Sequence, residues 1–351
     1  VYRRAYVLLV GVAGLMGGIA LVTAISLDKR LVDPEGFLGP SWARLPMLVI
    51  GALLLDMVPR MLWQSRLHPK LMWPIVRERW VSHWNRERIV LTIMGLVCFY
   101  ITYVSYRNLK SFLPEAMGLG VDYDRPLHQL DRAIFFGHEP AVVLHALLGT
   151  GFVAHFLSYI YLWFLPLVPL ALTAWLIWSR NISFGYWFAT SQVLAWTLGT
   201  ASYYAMPTTG PGFEYSWLYN DLDNTPTSQL MNSLYNGRQA INWGYANLDA
   251  VQSVAGFASL HCAITLLVAL MVQYTIKTRW VHWIFWTNFG LTVPATLYFG
   301  WHYIADDIAG IAIAFISFYL GGLASGQKFD RHGLASHPTT TTSYVPVDDD
   351  D

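Results

Sequence analysis

The chain has 351 residues, of which 55% are apolar, 15% aromatic and only 13% charged, and its mean hydropathy is +0.38. An ordinary soluble domain carries about 25% charged residues, so this composition argues against a large soluble α-protein and for several membrane-spanning helices. The 22 Lys and Arg balance 22 Asp and Glu, and a net charge of zero gives no basis for nucleic-acid binding.

In chain order, apolar stretches of the length a bilayer requires fall at 5–27, 45–63, 89–106, 153–178, 184–205, 259–276, 283–299 and 303–323. The expected fold class is therefore all-α, a polytopic membrane bundle of about eight helices. The first stretch reads as a retained span rather than a cleaved signal, because its apolar run is long and no small-x-small site ends it. Pro46 and Pro59 lie near the ends of the second. Segment 140–148 is apolar but too short to cross, and reads as interfacial or re-entrant. The long polar insertion 206–258 is rich in Tyr, Trp and Asn, which points to an ordered loop. The tail after Gly326 holds Thr339–Thr342 and ends in Asp348–Asp351, and reads as a disordered cytoplasmic extension. Three regions follow: 1–88 with two added N-terminal helices and a basic loop, 89–325 as a core, and 326–351 as the tail.

Charge placement sets an orientation. Segment 60–88 carries Arg60, Arg66, Lys70, Arg77, Arg79, Arg86 and Arg88, the densest basic cluster, and is placed in the cytoplasm. About fourteen basic residues then lie inside and about eight outside, the sign the positive-inside rule expects. Arg outnumbers Lys by about three to one, a composition that leans towards a high-GC bacterium and its plasma membrane. Cys98 and Cys262 both fall in apolar segments and read as small hydrophobes.

Ionisable groups at the ends of spans are expensive and often functional. His302 and Asp306 open the last span four residues apart, on one helix face. A carboxylate there can accept the Nδ1 proton and leave Nε2 as nucleophile or base; a purely structural His–Asp pair is the other reading. His261 opens the sixth span, and the orientation puts it on the same outer side as His302. Two histidines at neighbouring helix ends suit covalent catalysis, one attacking and the other protonating the leaving group. Metal binding by His261, His302, Asp306 and Asp307 competes with this, although no HExxH-type pair is present. Arg107, Lys110 and Arg238 also face outward and are candidates to hold a phosphate, against the alternative that such residues snorkel to headgroups.

These residues carry a family resemblance. Ala258-Ser259-Leu260-His261 resembles the Pro-Ser-Leu-His element, and His302-Tyr303-x-x-Asp306-x-x-x-Gly310 the second histidine element, of the type 2 phosphatidic acid phosphatase superfamily in its inositolphosphotransferase branch, which includes the inositol phosphorylceramide synthases. Leu130-Asp131-Arg132 through Phe136-Gly137-His138-Glu139-Pro140 is similar to a stretch upstream in that branch. The likeness spans roughly 100–323. It implies a six-helix core, with His302 as the nucleophile that becomes phosphohistidine, Asp306 orienting it and His261 as acid and then base. It also implies that Ser259 and the local backbone help hold the phosphate, with no metal and no cofactor. Ala258 departs from the usual Pro, Ala295 and Thr296 stand where the phosphatases have Ser-Arg, and Arg125-Pro126 is too far from Lys110 for the Lys-x6-Arg-Pro element. These departures favour transfer over hydrolysis. The expected partners are a phospholipid donor, a lipid or glycolipid hydroxyl acceptor and the bilayer, with the site on the extracytoplasmic side; a lipid phosphate phosphatase is the alternative.

Overall fold

A computed structural model describes residues 2–34, 41–118, 123–242, 256–330 and 333–335; the side chains at 41, 42, 45, 237–242, 328, 330 and 333–335 fall outside the description. The chain forms an all-α polytopic membrane bundle. Its helices are α1 (Arg3–Ser26), α2 (Ser41–Ser65), α3 (Pro69–His83), α4 (Arg86–Met117), α5 (Asp124–Ile134), α6 (Pro140–Leu148), α7 (Phe152–Leu162), α8 (Phe164–Thr173), α9 (Ile182–Ala205), α10 (Pro211–Glu214), α11 (Pro226–Asn242), α12 (Leu260–Thr275), α13 (Arg279–Tyr298) and α14 (Ile304–Ala324).

Local chemistry sets the helix starts. Asn85 Oδ1 accepts the Arg88 N–H at 2.8 Å and Asn181 Oδ1 the Ser183 N–H at 2.9 Å, each satisfying a donor with no intrahelical partner. Pro69 and Pro140 open α3 and α6, where a missing N–H costs nothing. Pro46 and Pro59 are accommodated inside α2.

Each of the eight expected spans is helical at its expected place. Among the described residues, five segments are both long and apolar enough to cross a membrane: Arg3–Ser26, Pro46–Ser65, Arg86–Met117, Phe152–Trp178 and Ile304–Ala324. α12 is shorter, at 16 residues, and α9 and α13 are less apolar. The reason for α9 is its position. It packs against α1, α4, α12 and α14 and buries Ser183, Thr190, Ser191 and Gln192, so much of its surface meets other helices rather than lipid. The fourth span is jointed: α7 and α8 meet at Trp163, and a π turn, Ala174–Trp178, closes it.

The basic segment expected as a loop is largely helix α3, and two of its arginines are committed to internal bonds. Arg79 makes two bonds to Asp56, at 2.9 and 2.8 Å, and Arg88 donates to the Leu176 and Arg180 carbonyls at 3.2 and 3.3 Å. The long insertion after α9 is ordered where it is described, as α10, a 3-10 turn Ser216–Tyr219 and α11. Beyond α14, Lys328–Asp330 pairs antiparallel with Gly333–Ala335; this short hairpin stands at the start of the expected disordered tail, and 336–351 lie outside the described residues.

The start of α12 packs tightly against α14. A Cβ on Gly310 would run into the Ser259 carbonyl, so only glycine lets the two helix starts meet this closely. Gly310→Ala is expected to destabilise the fold by about 1–3 kcal/mol through overpacking. Gly290→Ala, where a Cβ meets nothing within 4 Å, should leave the melting temperature in detergent near wild type.

Candidate active site

Ser259, the residue before α12, places His261 in the first turn of that helix. Its hydroxyl accepts the Cys262 N–H at 3.3 Å and its own N–H donates to the Asp306 carbonyl at 2.9 Å. The Ser259 side chain, expected to help hold the phosphate, is fully buried, and its oxygen is engaged as a helix cap. What α12 leaves open is its first turn, where the Leu260 and His261 N–H groups have no intrahelical acceptor.

His302 stands just before α14. Its Nδ1 lies 3.2 Å from Asp306 Oδ2, and the same oxygen accepts the Tyr303 N–H at 3.0 Å. One carboxylate thus caps the helix and fixes the imidazole, which leaves Nε2 for other partners. His302 is 5% exposed and Asp306 1%. Burial, with the Lys110 charge adding to it and Asp307 opposing, pushes the His302 imidazole down to about 4, so the ring is neutral at pH 7.

The two histidine rings are 6.5 Å apart between centroids. His261 makes no side-chain hydrogen bond among the described residues. Its ring instead stacks on Tyr161 at 4.1 Å and packs against Phe164 at 4.0 Å.

Of the candidate phosphate-binding cations, Lys110 reaches the site and acts electrostatically on both histidines. Its Nζ sits over the Tyr203 and Tyr106 rings at 5.0 and 5.6 Å and donates to Tyr106 Oη at 3.4 Å. Arg107, just before it on α4, donates to Tyr103 Oη at 3.3 Å and interacts with Lys110 and Tyr106. Its Nε is buried with no hydrogen-bond partner among the described residues. Arg238 falls in α11, with its side chain outside the described residues.

Several groups at the site have contacts that the sequence did not assign. Asp307 is held by the Cys262 thiol, which donates at 3.0 Å, and by Thr296 Oγ1 at 2.8 Å. Cys262 is thus a donor as well as a small apolar residue, and Thr296 turns towards Asp307. Asp124 accepts from the Thr209 and Gly210 N–H groups and from Tyr303 Oη, at 2.7, 2.8 and 2.8 Å. Asp131 accepts the Ile304 N–H at 3.1 Å. The Leu130–Pro140 stretch was visible as a resemblance, but its work of anchoring the α14 start appears only in three dimensions. Among the described residues, no three His, Cys, Asp or Glu side chains gather into a metal-ion cluster.

A small cleft lies on one side of His302, with His128, Asp131, Glu139, Tyr219 and Tyr303 among its walls. Asp131 and Glu139 line this cleft and Lys110 does not, while Asp307 lies against α12.

The class is now defined: an integral membrane helix bundle with two histidines paired at one end. The family model described as PAP2 superfamily matches residues 125–320, more than half of the chain, and the chain belongs to that superfamily. Its members are phosphatases or phosphotransferases, so the protein is an enzyme of the lipid phosphatase/phosphotransferase type. The match begins in α5 and leaves α1–α4, with Arg107 and Lys110, outside. No curated protein and no solved structure matches the chain.

Burial, with the Asp306, Asp307 and Glu139 charges adding to it and the Ile304 N–H opposing, raises the Asp131 carboxyl to about 7 from an ordinary 3.8. Between those values the unfolded chain has released a proton that the folded chain keeps. Stability therefore falls as pH rises from about 4 to about 7 and is flat above. Asp131→Asn, which keeps an oxygen for the Ile304 N–H, should flatten that slope in melting curves taken across this range.

Proposed function

We propose that the protein is a metal-independent phosphotransferase that moves a phosphorylated headgroup from a phospholipid to a hydroxyl on a lipid or glycolipid. The observation that carries this reading is the spacing and unequal tethering of His302 and His261. In-line transfer puts phosphorus between the attacking and leaving atoms. With the acid nitrogen within hydrogen-bond reach of the leaving oxygen, the two working nitrogens stand roughly 6–7 Å apart, the scale of the 6.5 Å ring separation.

In the first step His302 Nε2 attacks phosphorus and an N–P bond forms. The P–O bond to the lipid alcohol breaks, its electron pair stays on the leaving oxygen, and His261 supplies the proton. In the second step the acceptor oxygen attacks, His261 takes the hydroxyl proton, and the N–P electrons return to His302. Asp306 keeps Nδ1 bonded throughout, so the lone pair remains on Nε2.

The phosphate fits the Lys110 side of His302. Neither Lys110 nor Arg107 forms a salt bridge among the described residues, and the first turn of α12 adds N–H groups and the positive end of a helix dipole. The opposite pocket, with Asp131 and Glu139, would repel it. Transfer is favoured over hydrolysis because Thr296, where the phosphatases carry Ser-Arg, donates to Asp307 and so offers no phosphate ligand. In the hydrolytic alternative, water replaces the acceptor.

The transferase branch of the superfamily, with inositol phosphate as the headgroup, is the specific form of this reading. Residues 89–325 make the catalytic core, and α1 and α2 are additions to it. The positive-inside rule puts the site on the extracytoplasmic face, and the Arg-rich composition suggests a bacterial plasma membrane.

Acid-labile phosphate should be trapped on the wild-type chain with phosphatidylinositol as donor and vanish in His302→Ala; label that persists in the variant removes the nucleophile assignment. Activity should survive EDTA. The products separate transfer from hydrolysis: headgroup on a lipid hydroxyl, against free phosphate or free inositol phosphate.

A further inference from the structure

The two histidines are held by different physics. His302 is fixed by a carboxylate, a directional bond with a defined donor and acceptor. His261 has no such partner among the described residues, yet an acid–base group must present one nitrogen to the leaving oxygen within hydrogen-bond reach.

Its ring is instead held by other rings. Tyr161 lies almost parallel to it, at 12° and 4.1 Å, and Phe164 packs against it at 32° and 4.0 Å. Trp301 backs Tyr161 in turn, at 13° and 5.4 Å. Tyr161, Phe164 and Trp301 are all nearly fully buried, so the stack has little room to relax. The joint between α7 and α8 makes it possible, since Tyr161 ends one helix and Phe164 begins the next. Trp301 is bonded directly to His302, so the same stack also ties the position of His261 to that of the other histidine.

We propose that Tyr161 and Phe164, backed by Trp301, are positioning residues that clamp the His261 imidazole in the orientation needed to protonate the leaving oxygen. This rests on the phosphotransferase reading above. The clamp requires rings rather than the Tyr161 hydroxyl. Phe should therefore replace Tyr161, and Leu should not.

The test uses the dependence on the leaving group. The full-length protein in nanodiscs is given phosphatidylinositol, whose alcohol needs a proton to depart, or 4-nitrophenyl myo-inositol 1-phosphate, whose nitrophenolate does not. The first step is read alone, as single-turnover diacylglycerol release or as the nitrophenolate burst. Tyr161→Phe should stay near wild type on both. Tyr161→Leu and Phe164→Leu should slow diacylglycerol release by about 10- to 100-fold, the scale of a misplaced general acid, while the nitrophenolate burst changes by less than about threefold.

Equal slowing on both substrates in both Leu variants means the rings only support the fold, and overturns the positioning role without touching the phosphotransferase reading. Unchanged diacylglycerol release in both variants overturns it as well. A wild-type protein that releases neither product overturns the phosphotransferase reading, and this proposal with it.

Discussion

The meeting of α12 and α14 is the constraint on which the site depends. The Ser259 N–H donates to the Asp306 carbonyl at 2.9 Å, and Gly310 has no side chain to hold the Ser259 carbonyl away. These two contacts bring together two helix starts more than 40 residues apart in sequence. Each start carries one histidine, and each has first-turn N–H groups without intrahelical acceptors. Backbone contacts thus set the spacing of the two helix starts, and packed rings then set the position of the His261 imidazole. Glycine in the second histidine element thus has a packing reason: it closes the helix pair.

Around this pair, polarity is arranged by position. Carboxylates gather towards α5 and the loop that follows α9, where Asp124 and Asp131 anchor Tyr303 and Ile304. Lys110 stands on the other side with aromatic rings beneath it. His302 sits at the boundary.

The N-terminal helices are attached through a separate polar joint at the other end of the bundle. Asp56 is buried and accepts from Arg79 and from Trp84 Nε1, the latter at 3.0 Å, while His83 Nε2 and Arg88 meet carbonyls of the π turn. The last carbonyls of a helix have no intrahelical donor, and buried donors use them here. Burial with the nearby Arg88 charge pushes the His83 ring down to about 4, so at neutral pH this joint carries a neutral imidazole. It ties α2 and α3 to the fourth span without adding groups to the catalytic end.

The sequence alone determined the class of the fold, because an uncharged run of about 20 residues has few stable outcomes other than a membrane helix. It also pointed to the His302–Asp306 pair, on a helix-face spacing that the structure replaces: His302 precedes α14 and meets Asp306 where that carboxylate caps the helix start. The match of His261 to its element followed from a local motif as well. Tertiary structure decided what involves distant segments. It made Ser259 the cap of α12, gave Asp124 and Asp131 their anchoring bonds, and packed His261 against Tyr161 and Phe164. Among 18 Phe, 20 Tyr and 16 Trp, no spacing marks the two rings that face a histidine. Stacking has no sequence period when its partners come from different helices, and only the packed bundle selects them.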